Sequence, residues 1–236
     1  MSVKPNCILL SGASSDIGIA CRSLIKSSRE IAVMLFNNNS GVKINSDFNH
    51  CAYNLNLENE SLIEQAIEDI KSRFTIKAFI SLASINEDSS LFNFDSHSLH
   101  RHLAVNSIAP LVIVKNILPD MINNNYGRIV LTSSIGVKFG GSTTHLAYGF
   151  SKHACEFIPS ELRKLAAKNI FTNVVRIGVT DTTRLRSLGK DLVARTAQIP
   201  ARRMATPNEV AKFLIWISSS ENGFLTGQLI DFAGGE

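Results

Sequence analysis

No CxxC pair occurs among the four cysteines, Cys7, Cys21, Cys51 and Cys155, and their spacing fits no zinc pattern. They read as reduced, mostly buried thiols, and no metal site is expected. No run of about 18 apolar residues is present, so a membrane span is not expected. The opening stretch "MSVKPNCILLSGASS" holds too short an apolar run for a signal peptide. A cytoplasmic location is therefore expected. No dense Lys/Arg stripe accompanies the formal net charge of +4, which argues against a nucleic-acid partner. Repeats, low-complexity tracts and linker-like breaks are also missing, so residues 1–236 read as one domain.

What is present is a core-forming composition. Hydrophobic residues make up 44% and charged residues 19% of 236, which excludes a disordered chain. Strand-like apolar runs stand at 6–11, 31–36, 51–55, 77–83, 127–134 and 170–177, with a short final strand in "GQLIDFAGGE". Helical patterns separate them, from Ile17 to Ser28, over 59–74, over about 98–123, and over 147–168 with a kink expected at Pro159. In 59–74, Leu62, Ile63, Ala66, Ile67 and Ile70 fall on one helical face. A last helix over 206–219 opens with Thr206 as cap, Pro207 and Glu209. Strands apolar on both faces, joined by helices, predict an α/β fold. It is a doubly wound Rossmann-type parallel sheet with helices on both faces.

Four stretches carry chemistry. "SGASSDIG" (11–18) is a glycine turn between a strand and a helix, where helix-start amides can face a pyrophosphate. Such turns also occur without ligands. "YGFSK" places Tyr148 and Lys152 four apart, on one helix face, where an ammonium favours the phenolate form. That spacing arises often by chance on solvated helices. "LTSSIG" ends the fifth strand, where open parallel sheets place ligands. In "HLAVNSIAP", Asn106 sits in an apolar helical segment and needs partners if buried.

Together, and in this order, these stretches resemble the short-chain dehydrogenase/reductase family. The likeness spans nearly the whole chain and includes "VNSIAP", "GRIVLTSSIG" and "RMATPNEVAKFLIWISSSENGFLTGQLIDFAGG". That last stretch is similar to the 3-oxoacyl-[acyl-carrier-protein] reductase-like branch. The resemblance implies an NAD(P)(H)-dependent carbonyl reductase or alcohol dehydrogenase with the tetrad Asn106, Ser134, Tyr148 and Lys152. Tyr148 would be the acid in reduction and the base in oxidation, Ser134 would orient the substrate oxygen, and Asn106 would hold a relay water. Lys152 would lower the Tyr148 pKa and hold the nicotinamide ribose. Ser133 is the alternative serine, because Ser134 stands 14 positions before Tyr148, one more than the family spacing. The implied cofactor contacts are Ser11, Gly12, Ser14, Ser15, Asp16, Ile17, Gly18, Asn37, Asn38, Asn54, Leu55, Ala83, Tyr148, Lys152, Gly178 and Thr182. Homodimers or homotetramers are implied as well.

The chain departs from the family at several places. Asp16 replaces a glycine, and a capping role at the start of the first helix is expected for it. "SLAS" (81–84) keeps only Ala83 of the fourth-strand motif, Asn54 stands where an aspartate is frequent, and Ile177 replaces a proline. No acid follows the second strand in "LFNNNSG", which permits NADP(H), with Asn37, Asn38, Ser40 and Lys43 available to a 2′-phosphate. Ser15 stands where many NADP-preferring relatives carry arginine, so NADP(H) is preferred and NAD(H) stays open. A substrate lid is expected over about 178–204. It holds Arg184, Arg186, Lys190, Arg195, Arg202 and Arg203 against Asp181 and Asp191, a basic excess suited to an anionic or carrier-bound carbonyl or alcohol substrate. Solvated helix faces explain the same charges equally well. A sugar or secondary-metabolite carbonyl is the other substrate class. The altered turn also leaves open a non-catalytic dinucleotide-binding sensor or assembly protein.

Overall fold

The computed structural model describes residues 4–26, 31–36, 50–187 and 191–236. Seven strands form one parallel sheet: β1 (Asn6–Ser11), β2 (Ile31–Phe36), β3 (His50–Asn54), β4 (Thr75–Ser81), β5 (Gly127–Ser134), β6 (Ile170–Ile177) and β7 (Leu229–Phe232). Their order is β3-β2-β1-β4-β5-β6-β7, so the chain reverses direction of winding between β1 and β4. The nine α-helices among the described residues are α1 (Asp16–Lys26), α2 (Glu60–Arg73), α3 (Ser96–Leu103), α4 (Ala109–Asn123), α5 (Leu146–Ala154), α6 (Ser160–Lys164), α7 (Thr183–Ser187), α8 (Leu192–Gln198) and α9 (Pro207–Ile217). This is the doubly wound α/β architecture expected, with two apolar layers.

One layer joins Leu9, Phe79 and Ile129 of the sheet to Ile63, Ile67 and Ile70 of α2 and Ile113 and Ile117 of α4. The other joins Leu10, Ile80 and Val175 to Cys21 and Ile25 of α1 and Val210 and Leu214 of α9. Successive strand residues point to opposite faces, so a continuous apolar strand feeds both layers. On α2 the expected face is buried except at its edge, where Leu62 stays 39% exposed. The helical stretch Ser96–Asn123 is long and apolar enough to cross a membrane by composition, yet more than half of its apolar window is buried against the sheet. It is a core element here. Thr206 and Glu209 complete the reciprocal cap of α9.

Two helical expectations are corrected. The stretch 98–123 is not one α-helix, because a π-helical turn over Ala104–Ile108 separates α3 from α4. The stretch 147–168 is not a kinked helix either. α5 stops at Ala154, and Pro159 caps α6 with an extended ψ of 146°. Proline has no N–H to continue the ladder and disfavours helical backbone at Ile158 before it. The released Glu156 turns inward and meets Arg176 on β6 with two bonds of 2.7 Å.

Candidate active site

The carboxyl ends of β1, β4, β5 and β6 open onto a crevice of about 720 Å³, at the switch point between β1 and β4. Gly12, at the end of β1, has φ +68°, and a Cβ there would lie 2.5 Å from the Ala83 amide. Only glycine lets the two loops pack so closely. Ser11 is buried beneath this contact, and its hydroxyl accepts from the Ala83 N–H at 3.3 Å. Gly18 is packed against Gly12 and Ala13 and is likewise buried behind the loop.

Ser15 caps α1. Its hydroxyl accepts from the Gly18 N–H at 3.0 Å and donates to the Gly12 carbonyl at 2.9 Å. The capping role expected for Asp16 is therefore overturned, because its neighbour already occupies that amide. Asp16 instead reaches out of the loop, its two oxygens accepting from the N–H and the hydroxyl of Thr183, each at 3.0 Å. Ser14, Ser15, Asp16 and Ile17 line the crevice. The first amides of α1 have no partner within the helix, so this wall offers donors to an anion.

The opposite wall carries Tyr148 and Lys152 on α5. Lys152 is buried, donates to the Thr132 carbonyl at 3.0 Å, and lies 5.9 Å from the centroid of the Tyr148 ring. Ser89, from the loop after β4, holds the start of α5. Its carbonyl accepts from the Leu146 N–H at 2.9 Å and its hydroxyl from the Ala147 N–H at 3.0 Å. Asn106 lies behind the crevice and does not line it. Its amide exchanges bonds with both backbone groups of Ile85, at 2.8 and 3.0 Å, and donates to the Ser151 hydroxyl at 2.8 Å. Its carbonyl accepts from the Cys155 thiol.

The adjacent serines face different surroundings. Ser133 is buried, with its Oγ 2.8 Å from Glu156 Oε1 and 3.0 Å from the Lys152 carbonyl. Ser134 is half-buried and its Oγ accepts only a 3.3 Å bond from the Gly136 N–H among the described contacts. Ser134 and Tyr148 also line a second cavity of about 750 Å³, bounded by the turn at 135–143 and by α8. The two cavities share Ser134 and Tyr148 with Asn86, Ile177, Gly178 and Leu185, so they adjoin at this wall.

Other expected contacts are distributed unevenly. Ala83, Gly178 and Thr182 line the crevice, and the Thr182 hydroxyl accepts from the Leu185 N–H at 3.2 Å to start α7. Asn54 is exposed and Leu55 buried, and neither lines the crevice, where Leu57 stands instead. Asn37, Asn38, Ser40, Lys43 and Lys190 lie outside the described residues. Asn86 and Thr183 also line the crevice without having been expected there, and Arg184, expected as a cation of the 178–204 stretch, lines it too. The signal for the first two was weak: Thr183 directly follows Thr182, and Asn86 sits three residues past Ala83.

The stretch 178–204, expected as a lid, is less cationic among its described residues than its sequence. Arg186 grips Asp181 at 2.7 and 2.6 Å, holding that carboxyl below the usual carboxylate range. Arg195 pairs with Glu236 and Arg203 with Glu209. Arg184 and Arg202 bond to the carbonyls of Asn86 and Ala197. Among the described residues no cluster of three metal-ligating side chains gathers.

Residues 12–236 match the family model described as enoyl-(acyl carrier protein) reductase. The chain is 27% identical over 242 residues to the 3-oxoacyl-[acyl-carrier-protein] reductase FabG of Buchnera aphidicola, covering 100% of this chain and 98% of that protein. It is 26% identical over 230 residues to carbonyl reductase family member 4 of Danio rerio, covering 95% and 94%. Among solved structures, a 3-oxoacyl (acyl-carrier-protein) reductase of Agrobacterium tumefaciens with NADP bound superposes with TM-score 0.84 at 21% identity, covering 100% and 95%. ElxO with NADP bound gives TM-score 0.87 at 21% identity, covering 99% and 98%. At that identity these two structures show the shared fold.

Proposed function

Because the chain belongs to the short-chain dehydrogenase/reductase family of oxidoreductases, we propose that it interconverts a carbonyl and an alcohol with NADP(H). The observation that carries this reading is that two adjoining cavities have Ser134 and Tyr148 among the residues they share. One cavity has the donors a dinucleotide needs, and the other is free for a substrate.

The crevice fits the cofactor on its own chemistry. The turn amide of Ser14 and the helix-start amides of Asp16 and Ile17 suit a diphosphate, and Lys152 and Arg184 bring positive charge. Lys152 and Thr182 would hold the nicotinamide end. When bound, NADP(H) supplies or accepts the hydride. The chain's residues handle the proton. In reduction Tyr148 gives its phenolic proton to the carbonyl oxygen, and in oxidation it takes the hydroxyl proton back. The Ser134 hydroxyl donates to the same oxygen and fixes its direction. The Lys152 ammonium, anchored on Thr132, offsets the charge that develops on the Tyr148 oxygen. Asn106 and Ser151 keep α5 in place rather than touching the reacting atoms.

NADP(H) is preferred over NAD(H) because no acid stands at positions 36–39 at the end of β2 and because the two solved neighbours bind NADP. Ile135, Val137, Leu185 and Leu192 give the second cavity apolar walls, which suits an acyl chain. With the FabG relatives, this favours a carrier-bound 3-oxoacyl substrate over a sugar carbonyl. Exposed Ile108, Leu111, Phe150 and Phe157 support a homo-oligomer. The test is a titration with NADPH and NADH by fluorescence, followed by NADPH oxidation with a 3-oxoacyl thioester and a panel of other carbonyls. Turnover of the thioester supports the reading. Binding without any turnover would favour the non-catalytic sensor, and no binding of either nucleotide would defeat both.

A further inference from the structure

We infer that Asp16 is a positioning residue that fastens the lid across the cofactor crevice and thereby slows release of the bound dinucleotide. The inference rests on the reading above and deepens it. Three observations carry it. Asp16 stands at the start of α1, where the glycine turn ends, and Thr183 on α7, 167 positions apart, and both line the crevice. The carboxylate takes both donors of Thr183, so the two walls are bridged by a pair of bonds rather than one grazing contact. A second tie runs in parallel: Arg184, the next residue, donates to the Asn86 carbonyl at 2.5 Å on the loop after β4. α7 is thus pinned to both loops that flank the switch point.

A carboxylate in a diphosphate-binding loop is otherwise unfavourable, since like charges repel. Here its oxygens already hold two donors, which direct its negative end toward the lid. The glycine expected at this position could make neither bond.

Charge and fastening make opposite forecasts, so they can be separated. Thr183→Val removes the hydroxyl and leaves the charge untouched. Asp16→Asn removes the charge and keeps one acceptor oxygen, and Asp16→Ala removes both. Stopped-flow displacement of NADPH from the full-length protein reads the dissociation rate. Dissociation should quicken by at least roughly fivefold in Asp16→Ala, and by less in Thr183→Val and Asp16→Asn, each of which keeps one of the two bonds. In the cofactor-free protein, hydrogen exchange over 183–187 should quicken in Asp16→Ala as well. Unchanged dissociation in Asp16→Ala and Thr183→Val overturns the inference. Slower dissociation in both Asp16 variants overturns it too, by showing that the carboxylate repels more than it fastens. If the wild-type chain binds neither nucleotide, the functional reading fails first, and this inference falls with it.

Discussion

Asn106 donates a 2.8 Å hydrogen bond to the hydroxyl of Ser151, three residues after Tyr148 on α5. The π-helical turn and the helix that carries Tyr148 are thereby joined. Asn106→Ala would strand the two backbone groups of Ile85 as well as Ser151. The expected cost is about 1–3 kcal/mol of unfolding free energy, read by urea denaturation. Turnover should fall with little change in KM, because α5 loses its brace while the substrate cavity keeps its lining.

Arg128 should be more costly to remove. It is 2% exposed, sits between the rings of Tyr126 and Phe171 at 4.5 and 4.1 Å, and no carboxylate is among its described partners. It donates instead to the carbonyls of Gly127, Asn169, Asn222 and Ser219 and to the Asn169 side chain. Burial holds its pKa below the ordinary guanidinium value. Arg128→Met leaves those acceptors dry, and a loss of roughly 3–5 kcal/mol is expected by denaturant titration.

Glu209 gives a pH signature. Arg203, with the Thr206 cap, pulls its carboxyl down from 4.5 to about 2. A depressed folded-state pKa adds stability above the unfolded value, and that stability fades as pH falls from 4.5 toward 2. The melting temperature of wild type should therefore exceed that of Glu209→Gln at neutral pH. The gap should narrow below pH 4.5, and it should be small throughout because the pair is solvent-exposed.

Cys21 should resist alkylation. Burial pushes its thiol up to about 12. At pH 8 the thiolate is therefore scarce and iodoacetamide should leave Cys21 unmodified in the folded protein, while half-buried Cys51 reacts first. Mass spectrometry of tryptic peptides reads the order.

The fold was legible where burial dictates it. β5 and β6 occupy the stretches 127–134 and 170–177 expected for them, because apolar neighbours such as Ile129–Val130–Leu131 and Val174–Val175 feed both core layers. Thr206-Pro207-Glu209 announced its helix because capping is local chemistry. The misread helix 147–168 shows the opposite case. Its apolar pattern continues past Ala154, and what takes the chain out is partly Glu156 meeting Arg176, a contact 20 residues away. The role of Asp16 was hidden for the same reason. As a residue before a helix it looks like a cap, and its true partner lies far along the chain. Ser133 and Ser134 are indistinguishable as letters. Both line the crevice, and only the alternation of strand faces ties Ser133 to Glu156 while Ser134 also borders the second cavity. Arg186, Arg195 and Arg203, likewise, read as a basic patch until their carboxylates are seen beside them.

The central claim is that Tyr148 moves the proton in a chain that also holds the nucleotide. It is tested most directly by Tyr148→Phe, with NADPH titration and NADPH-dependent carbonyl reduction measured on the same preparation. The account predicts that reduction falls by at least roughly 10²-fold while NADPH affinity stays nearly that of wild type. Undiminished reduction by the phenylalanine variant would contradict it.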